Sequence, residues 1–277
     1  MSRSSTNPKE DTLLIAQISD LHMGGPGEMA YGIAPVSQNL ERTVAYINAL
    51  DPRPQLTLVT GDILYTGAIP EAREAKRLLS ALKMPWYIVP GNHDDRAVLR
   101  DTFPVKTRPT QDDEFIHYAF VASGLRFIGL DTSGPGVSGG VFCQQRADWL
   151  EAQLASDPHQ PTVLFMHHPP VKFGILETDE DGFEGVERLG EIVGRYPAIK
   201  HLLCGHTHMA LFAHWQGACV STAPTVSGTC LALDLTMTKA NAFHLDDPAF
   251  FLHKWTQGNE LLSYLVNVRE DDTLHLF

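Results

Sequence analysis

The sequence predicts an α/β fold: a mixed sandwich of two packed β-sheets with helices on their outer faces. Three observations carry this. Over the first two thirds, apolar runs of strand length alternate with stretches whose apolar residues recur at helical spacing. After Met209 the helical spacing stops and short apolar runs continue alone, as added β-structure does. Five short polar motifs each stand at the end of an apolar run, where an α/β sheet opens its crevice.

Leu13 to Ile18 reads as a buried strand, and Val36, Leu40, Val44 and Ile47 mark the first helix. Leu56 to Val59 is the second strand, and Ala72, Ala75, Leu79 and Leu82 mark the second helix. Trp86 to Val89 is a third strand. Phe115 to Val121 and Leu125 to Leu130 form a strand pair around Ser123-Gly124. Ala147, Leu150 and Leu154 place a helix before the strand Thr162 to Met166. Val186 to Tyr196 is a helix, and Ile199 to Leu203 is the strand feeding Gly205. Runs at Leu211 to Trp215, Ala218 to Ser221, Leu231 to Leu235, Phe250 to Trp255 and Leu261 to Val266 predict the β-rich end.

The motifs are Asp20-Leu21-His22, Gly61-Asp62, Gly91-Asn92-His93-Asp94, His167-His168 and Gly205-His206-Thr207-His208. A strand gives stiffness, and the turn after it can aim polar side chains into a shared crevice. Carboxylate bridges cations, neutral imidazole suits transition metals, and the Asn92 amide oxygen adds a ligand without charge. Two dications against Asp20 and Asp62 leave a positive pocket. Such a pocket attracts phosphate and lowers the pKa of bound water from about 15.7 towards about 7.

Singly, each motif has a plainer reading. Asp-x-His is common in surface loops, and Gly-Asp after a strand is commonly a turn. Gly-Asn-His-Asp can be a turn with a helix cap. His167-His168 before two prolines can be a strand end. Gly-His-Thr-His is more specific, because i and i+2 on extended chain share one side. All five in order favour one metal centre.

That order, Asp-x-His, Gly-Asp, Gly-Asn-His-Asp, His, Gly-His-x-His, resembles the calcineurin-like metallophosphoesterase superfamily over residues 12–265. The wording Val-Pro-Gly-Asn-His-Asp-Asp, Leu-Phe-Met-His-His-Pro-Pro and Leu-Cys-Gly-His-Thr-His is similar to one branch. That branch holds bacterial class III cyclic nucleotide phosphodiesterases and enterobacterial glycerophosphodiesterases. The resemblance implies a four-layer sandwich of two mixed sheets flanked by helices, with a small β-rich C-terminal cap. It implies two transition-metal ions (Fe, Mn, Zn or Co): one held by Asp20, His22, Asp62 and His208, the other by Asp62, Asn92, His167 and His206. Asp62 bridges, His93 touches phosphate, and His168 stands behind His167. The expected reaction is hydrolysis of a small phosphodiester, a cyclic nucleotide or glycerophosphodiester, with Asp62, Asn92 and His93 as catalytic residues. A phosphomonoesterase or phosphonate monoester hydrolase on the same centre is the rival, and a non-catalytic scaffold is the remote one.

Residues 1–221, completed by 248–277, are expected to form the catalytic domain. Residues 222–247 are expected to form a cap that supports a homo-oligomer, since apolar residues persist there without a helical stripe. The formal net charge of −12 disfavours long nucleic-acid partners, and no basic stretch with interleaved aromatics suggests them. No run reaches membrane-span length, and Ser2 to Glu10 lacks the apolar core of a secretory signal. Cys143, Cys204, Cys219 and Cys230 match no zinc spacing, so a cytoplasmic protein with reduced thiols is expected. Gly134 to Gly140 lacks the Gly-Lys-Ser/Thr of a phosphate cradle and reads as a mobile loop. The acids of Glu177 to Glu187 lack EF-hand spacing and read as a solvated loop near the site. His201, His214, His244 and His253 read as core or supporting residues, with His244 a candidate for the cap lining.

Overall fold

A computed structural model describes residues 12–236 and 242–269 except 257 and 259, together with 273 and 275. The chain runs β1 (Leu13–Ile18), α1 (Val36–Ala49), β2 (Leu56–Thr60), α2 (Ile69–Leu79), β3 (Trp86–Val89) and α3 (Arg96–Thr102). Then come β4 (Tyr118–Ala122), β5 (Leu125–Leu130), β6 (Gly140–Val141), α4 (Gln144–Ala155), β7 (Thr162–Met166) and α5 (Leu176–Asp181). They are followed by β8 (Phe183–Glu184), α6 (Val186–Arg195), β9 (Ile199–Cys204), β10 (Leu211–Trp215) and β11 (Ala218–Thr222). The last strands are β12 (Thr229–Leu231), β13 (Phe243–Leu245), β14 (Ala249–Trp255) and β15 (Leu261–Asn267).

Two mixed sheets pack face to face. One has the order β15-β14-β1-β2-β3 and the other β10-β11-β9-β7-β5-β4. In the first, β1, β2 and β3 run parallel. In the second, β5, β7, β9 and β11 do. These parallel strands are buried on two faces, which is why most of them read as unbroken apolar runs. One core cluster joins α1 and α2 (Leu40, Ile47, Ala75, Leu79) to the first sheet and to Phe127 and Phe165 of the second. Another packs α4 and α6 (Leu150, Leu154, Leu189, Ile192) on the second sheet's outer face. The result is the four-layer α/β sandwich expected.

A polar thread crosses the inter-sheet layer. Gln17 donates to the Cys204 carbonyl at 2.9 Å and to Thr60 Oγ1 at 3.1 Å. His253 Nε2 lies 3.0 Å from Gln17 Oε1 and its Nδ1 2.7 Å from Ser263 Oγ. His201 pairs with Ser221 Oγ at 2.9 Å. Thus His201 and His253 are buried residues, as expected, whereas His214 and His244 are exposed. The latter two lie on β10 and β13, which pair on one side only.

One helix was not expected, and three local expectations are corrected. Helix α3 shows no apolar stripe because it buries only Leu99. Its signal is a cap, since Asp95 accepts from Val98 N at 2.9 Å. The strand expected from Phe115 starts at Tyr118, because Ile116 N turns away to Asp131 Oδ2 at 2.9 Å. The run from Leu231 leaves its strand at once, and Leu233 and Leu235 are exposed. The glycine loop is pinned: Gly140–Val141 pairs in parallel with Phe183–Glu184, inside the segment read as a solvated acidic loop. Residues 237–241 of the expected cap, and residues 2–10, lie outside the described residues. No helix among the described residues is long and apolar enough to cross a membrane.

Candidate metal centre

All five motifs meet at one edge of the sandwich. Asp20 and His22 follow β1, Asp62 follows β2, Asn92 and His93 follow β3, His167 follows β7, and His206 and His208 follow β9. Because these strands run parallel within their sheets, their carboxyl ends share a side. His208 Nε2 lies 3.5 Å from Asp20 Oδ1, and His22 Nε2 lies 3.6 Å from Asp62 Oδ2. His167 Nε2 lies 3.4 Å from Asp62 Oδ2 and 3.0 Å from Asn92 Oδ1. The donor atoms in each of the sets Asp20-His22-His208, Asp20-Asp62-His167, His22-Asp62-His93 and His167-His168-His206 lie within 4.8 Å of one another.

The backbone is bent to achieve this. Asp20, His22, Asp62, His206 and His208 all have positive φ, between 43° and 74°. Non-glycine residues in that region cost on the order of 1 kcal/mol or more each, and cluster where a site imposes the geometry. Gly91 serves the same end. A Cβ there would overlap Asp62 Oδ1, so only glycine lets the third turn close on the second.

Hydrogen bonds aim the imidazoles. His167 Nδ1 donates to the Thr60 carbonyl at 2.8 Å, and His208 Nδ1 to the Thr229 carbonyl at 2.8 Å. Each is left with an Nε2 lone pair facing the centre, the usual support of a metal-binding histidine. His93 donates Nδ1 to the Tyr65 carbonyl at 2.7 Å, freeing Nε2. His168 differs: Nδ1 meets Thr132 Oγ1 at 2.8 Å and Nε2 donates to the Ser138 carbonyl at 3.0 Å. Both its nitrogens are engaged by the protein. Oxygen and nitrogen donors converging at these separations, with lone pairs inward, fit divalent transition metals.

Electrostatics agree. Burial pushes the His206 imidazole down to about 3, aided by the neighbouring His167. Burial also holds His22 and His168 well below the usual histidine range. His167 is the exception: burial lowers it, but the charge of Asp62 outweighs this and lifts it to about 9. Burial opposes ionisation of Asp62 too, and His167 outweighs it, holding the carboxyl well below its ordinary value. Burial raises Asp20.

Surrounding residues fix the turns. Asp94 accepts from Ile63 N, Leu64 N and Gly91 N at 3.2, 2.9 and 2.8 Å, tying the second and third turns together. Ser133 Oγ donates to the Gly91 carbonyl at 2.7 Å, and Arg96 binds Asp131 with both Nε and Nη2. Thr225 Oγ1 donates to the Asp20 carbonyl at 2.8 Å, and Ser227 N to the same oxygen at 3.1 Å. Residues 225–229, expected to lie in the cap, therefore run beside the centre and brace it.

A cavity of about 350 Å³ opens over the centre. The expected residues His22, Asp62, Asn92, His93, His206 and His208 line it. So do Tyr31, Ser138, Thr178, Asp181, Leu231 and Phe243, which the sequence reading did not single out as site residues. Tyr31, from the segment after β1, and Phe243, on β13, are distant in sequence, with ring centroids 5.0 Å apart. Asp181 had one signal, its place in an acidic segment. Asp20 and His167 lie beneath, fully buried.

Comparison with known proteins agrees with this geometry. Residues 13–210 match the calcineurin-like phosphoesterase family model. The chain is 34% identical over 255 residues to a probable glycerophosphodiester phosphodiesterase of Arcobacter nitrofigilis, covering 91% of this chain and 92% of the relative. It is 30% identical over 241 residues to a cAMP/cGMP dual specificity phosphodiesterase of Mycobacterium tuberculosis, covering 85% and 73% of the two chains. Among solved structures it resembles a dimetal phosphatase of Danio rerio, with a TM-score of 0.65 and 17% identity over 91% and 98% of the chains.

Proposed function

Since the chain belongs to the calcineurin-like phosphoesterase family, we propose that it is a metal-dependent phosphodiesterase that hydrolyses small phosphodiesters at a dinuclear centre. The observation that carries this reading is the convergence of seven donor residues at the floor of one cavity. One cation would be held by Asp20, His22, Asp62 and His208, and a second by Asp62, Asn92, His167 and His206, with Asp62 contributing to both. The mixed nitrogen and oxygen donors admit Fe, Mn, Zn or Co. When bound, the cations supply Lewis-acid activation of water and neutralise the ester's charge.

The protein's own groups do the rest. Asn92 adds an oxygen without charge, so the centre stays positive overall. His93 holds Nε2 in the cavity and is oriented by Tyr65, which suits it to bind a phosphoryl oxygen or give a proton to the leaving alkoxide. The loop of Tyr31 and the strand of Phe243 wall one side, so the cavity suits a small diester better than a polymer. Within residues 222–247, the paired strands β12 and β13 would supply the cap, with Leu231 and Phe243 lining the cavity. Phe212, Leu262, Tyr264 and Leu265 on strands β10 and β15 are exposed and would be covered in a homo-oligomer. The four thiols are unpaired, which suits the cytoplasm.

The test is a rate comparison on purified, metal-loaded protein. Bis(p-nitrophenyl) phosphate should be hydrolysed faster than p-nitrophenyl phosphate, and metal analysis should give two ions per chain. Preference for the monoester would favour a phosphomonoesterase on the same centre, and metal-free, inactive protein a scaffold. Rates on cyclic nucleotides and glycerophosphodiesters then choose between the substrates named for the relatives.

A further inference from the structure

Two sequence features that the metal centre leaves unused, the glycine-rich loop and the acidic segment, dock onto each other at the cavity rim. Gly140 N donates to the Gly182 carbonyl at 3.0 Å, and Phe142 N to the Glu184 carbonyl at 2.8 Å. A Cβ on Gly139 would overlap the Asp181 carbonyl oxygen, so the bare backbone of the loop is what lets the segment seat. Asp179 locks the other end, accepting from Phe173 N at 2.9 Å and Gly174 N at 2.8 Å. Held from both sides, Asp181 presents its carboxylate to the cavity, with Oδ2 3.7 Å from His206 Nε2. It shares no set of converging metal donors, since none of the clusters at the centre includes it.

A carboxylate is an odd lining for a cavity built to receive an anion. It repels a phosphoryl group, and repels a dianion twice as strongly as a monoanion. It also attracts a hydroxyl or an ammonium. We propose that Asp181 is a specificity-determining residue that reads the charge of the ester. It rejects the dianionic phosphomonoester, including the reaction's own product, and favours diesters whose alcohol carries a hydrogen-bond donor or a positive charge. This rests on the phosphodiesterase reading and names the substrate class within it. It gives an electrostatic reason why a diester hydrolase stops at the monoester. In a partly solvated cavity one extra unit of charge a few ångströms away changes selectivity on the order of tenfold.

The experiment uses Asp181→Asn in the full-length, metal-loaded enzyme. The kcat/KM is measured for bis(p-nitrophenyl) phosphate and p-nitrophenyl phosphate. It is also measured for a matched pair, 2-aminoethyl and propyl p-nitrophenyl phosphate. Metal content is assayed alongside. In the variant, the monoester-to-diester ratio should rise about tenfold, and the parent's preference for the aminoethyl ester should disappear, with two metals retained. Asp181→Glu should restore much of the parent's selectivity. Gly139→Ala, which displaces the segment, should shift selectivity in the same direction as Asp181→Asn. Ratios within twofold of the parent overturn the proposal, and so does loss of a metal, which would put Asp181 in the metal centre. A parent enzyme that prefers the monoester instead sinks the phosphodiesterase reading, and that result comes from the parent alone.

Discussion

The Nε2 atoms of His22 and His208 stand 2.9 Å apart, although 186 residues separate them in the chain. His208 has committed its other nitrogen to the Thr229 carbonyl. Two imidazole lone pairs so close, with Asp20 Oδ1 3.5 Å from one of them, are relieved by a shared proton or a cation. Hence His208→Ala should lose one of two metals. Asp62→Asn should weaken both and remove most activity, since Asp62 lies 3.6 Å from His22 and 3.4 Å from His167. Elemental analysis of the two variants checks this, and an Asp62→Asn protein that keeps two metals and near-normal turnover refutes the shared ligand.

His93 should behave differently. It neighbours the proposed ligand Asn92, and the residue lines the cavity with Nδ1 engaged by the Tyr65 carbonyl. His93→Ala should keep both metals and slow turnover by roughly 10²-fold, the scale of general acid–base effects. A series of leaving groups tells its roles apart: a proton donor matters less as the leaving alcohol becomes more acidic. Because its ring also lies within ligand distance of His22 and Asp62, metal loss in this variant would move it into the ligand set.

Asp94→Ala should destabilise the protein and impair catalysis without touching a proposed ligand. The change strips three backbone N–H groups at the Asp62 and Asn92 turns of their common acceptor. Leaving such donors unsatisfied costs about 1–3 kcal/mol or more. Thermal unfolding should report the loss, with weaker metal retention. An unchanged melting temperature would mean water replaces the carboxylate.

Stability should fall on mild acidification through a pair that does not line the cavity. Burial pushes His201 down to about 4 and holds His253 well below the usual histidine range. Both are neutral when folded and bind protons on unfolding once the pH drops below about 6.5. Their contribution is therefore complete above that pH and is lost as the pH falls towards 4. A drop from 6.5 to about 4 corresponds to about 3 kcal/mol at most for His201. Denaturant unfolding of His201→Leu and parent at pH 7 and pH 4.5 measures it. The variant should lose less stability between the two, and equal losses would clear His201 of the effect.

The layers and the five strand-end motifs were legible because buried parallel strands write themselves as apolar runs that stop at polar turns. What the sequence could not show is how the turns bend. Positive φ at Asp20, His22, Asp62, His206 and His208 is set by contacts between turns, and the modest preference of aspartate and histidine for that region is too weak to announce it. Tyr31 carried no signal, and Asp181 and Phe243 showed only as members of the acidic segment and the expected cap. Their positions depend on tertiary pairing: Asp181, at the end of α5, through the docked glycine loop, and Phe243 through the β12–β13 pair. Helix α3, with one buried residue, lacked the stripe that reveals longer helices.

The β12–β13 pair over the cavity should take part in choosing substrate. Removing residues 225–241 would delete Thr225 and Ser227, which hold the Asp20 carbonyl, and Thr229, which orients His208. Such a variant would lose the centre and say nothing about selection. The informative changes start at Leu231. Phe243 packs 5.0 Å from Tyr31, centroid to centroid, and these rings bridge the hairpin and the loop after β1. Tyr31 in turn lies 5.1 Å from Tyr65, whose carbonyl orients His93. Phe243→Ala should therefore widen the cavity mouth while leaving the donors in place. Its kcat/KM for bulky diesters should rise several-fold relative to small ones, with metal content unchanged. Replacing 232–242 by a short Gly-Ser turn should push the ratio further the same way. If both variants fold, keep their metals and retain the parent's preference, the hairpin takes no part in choosing substrate.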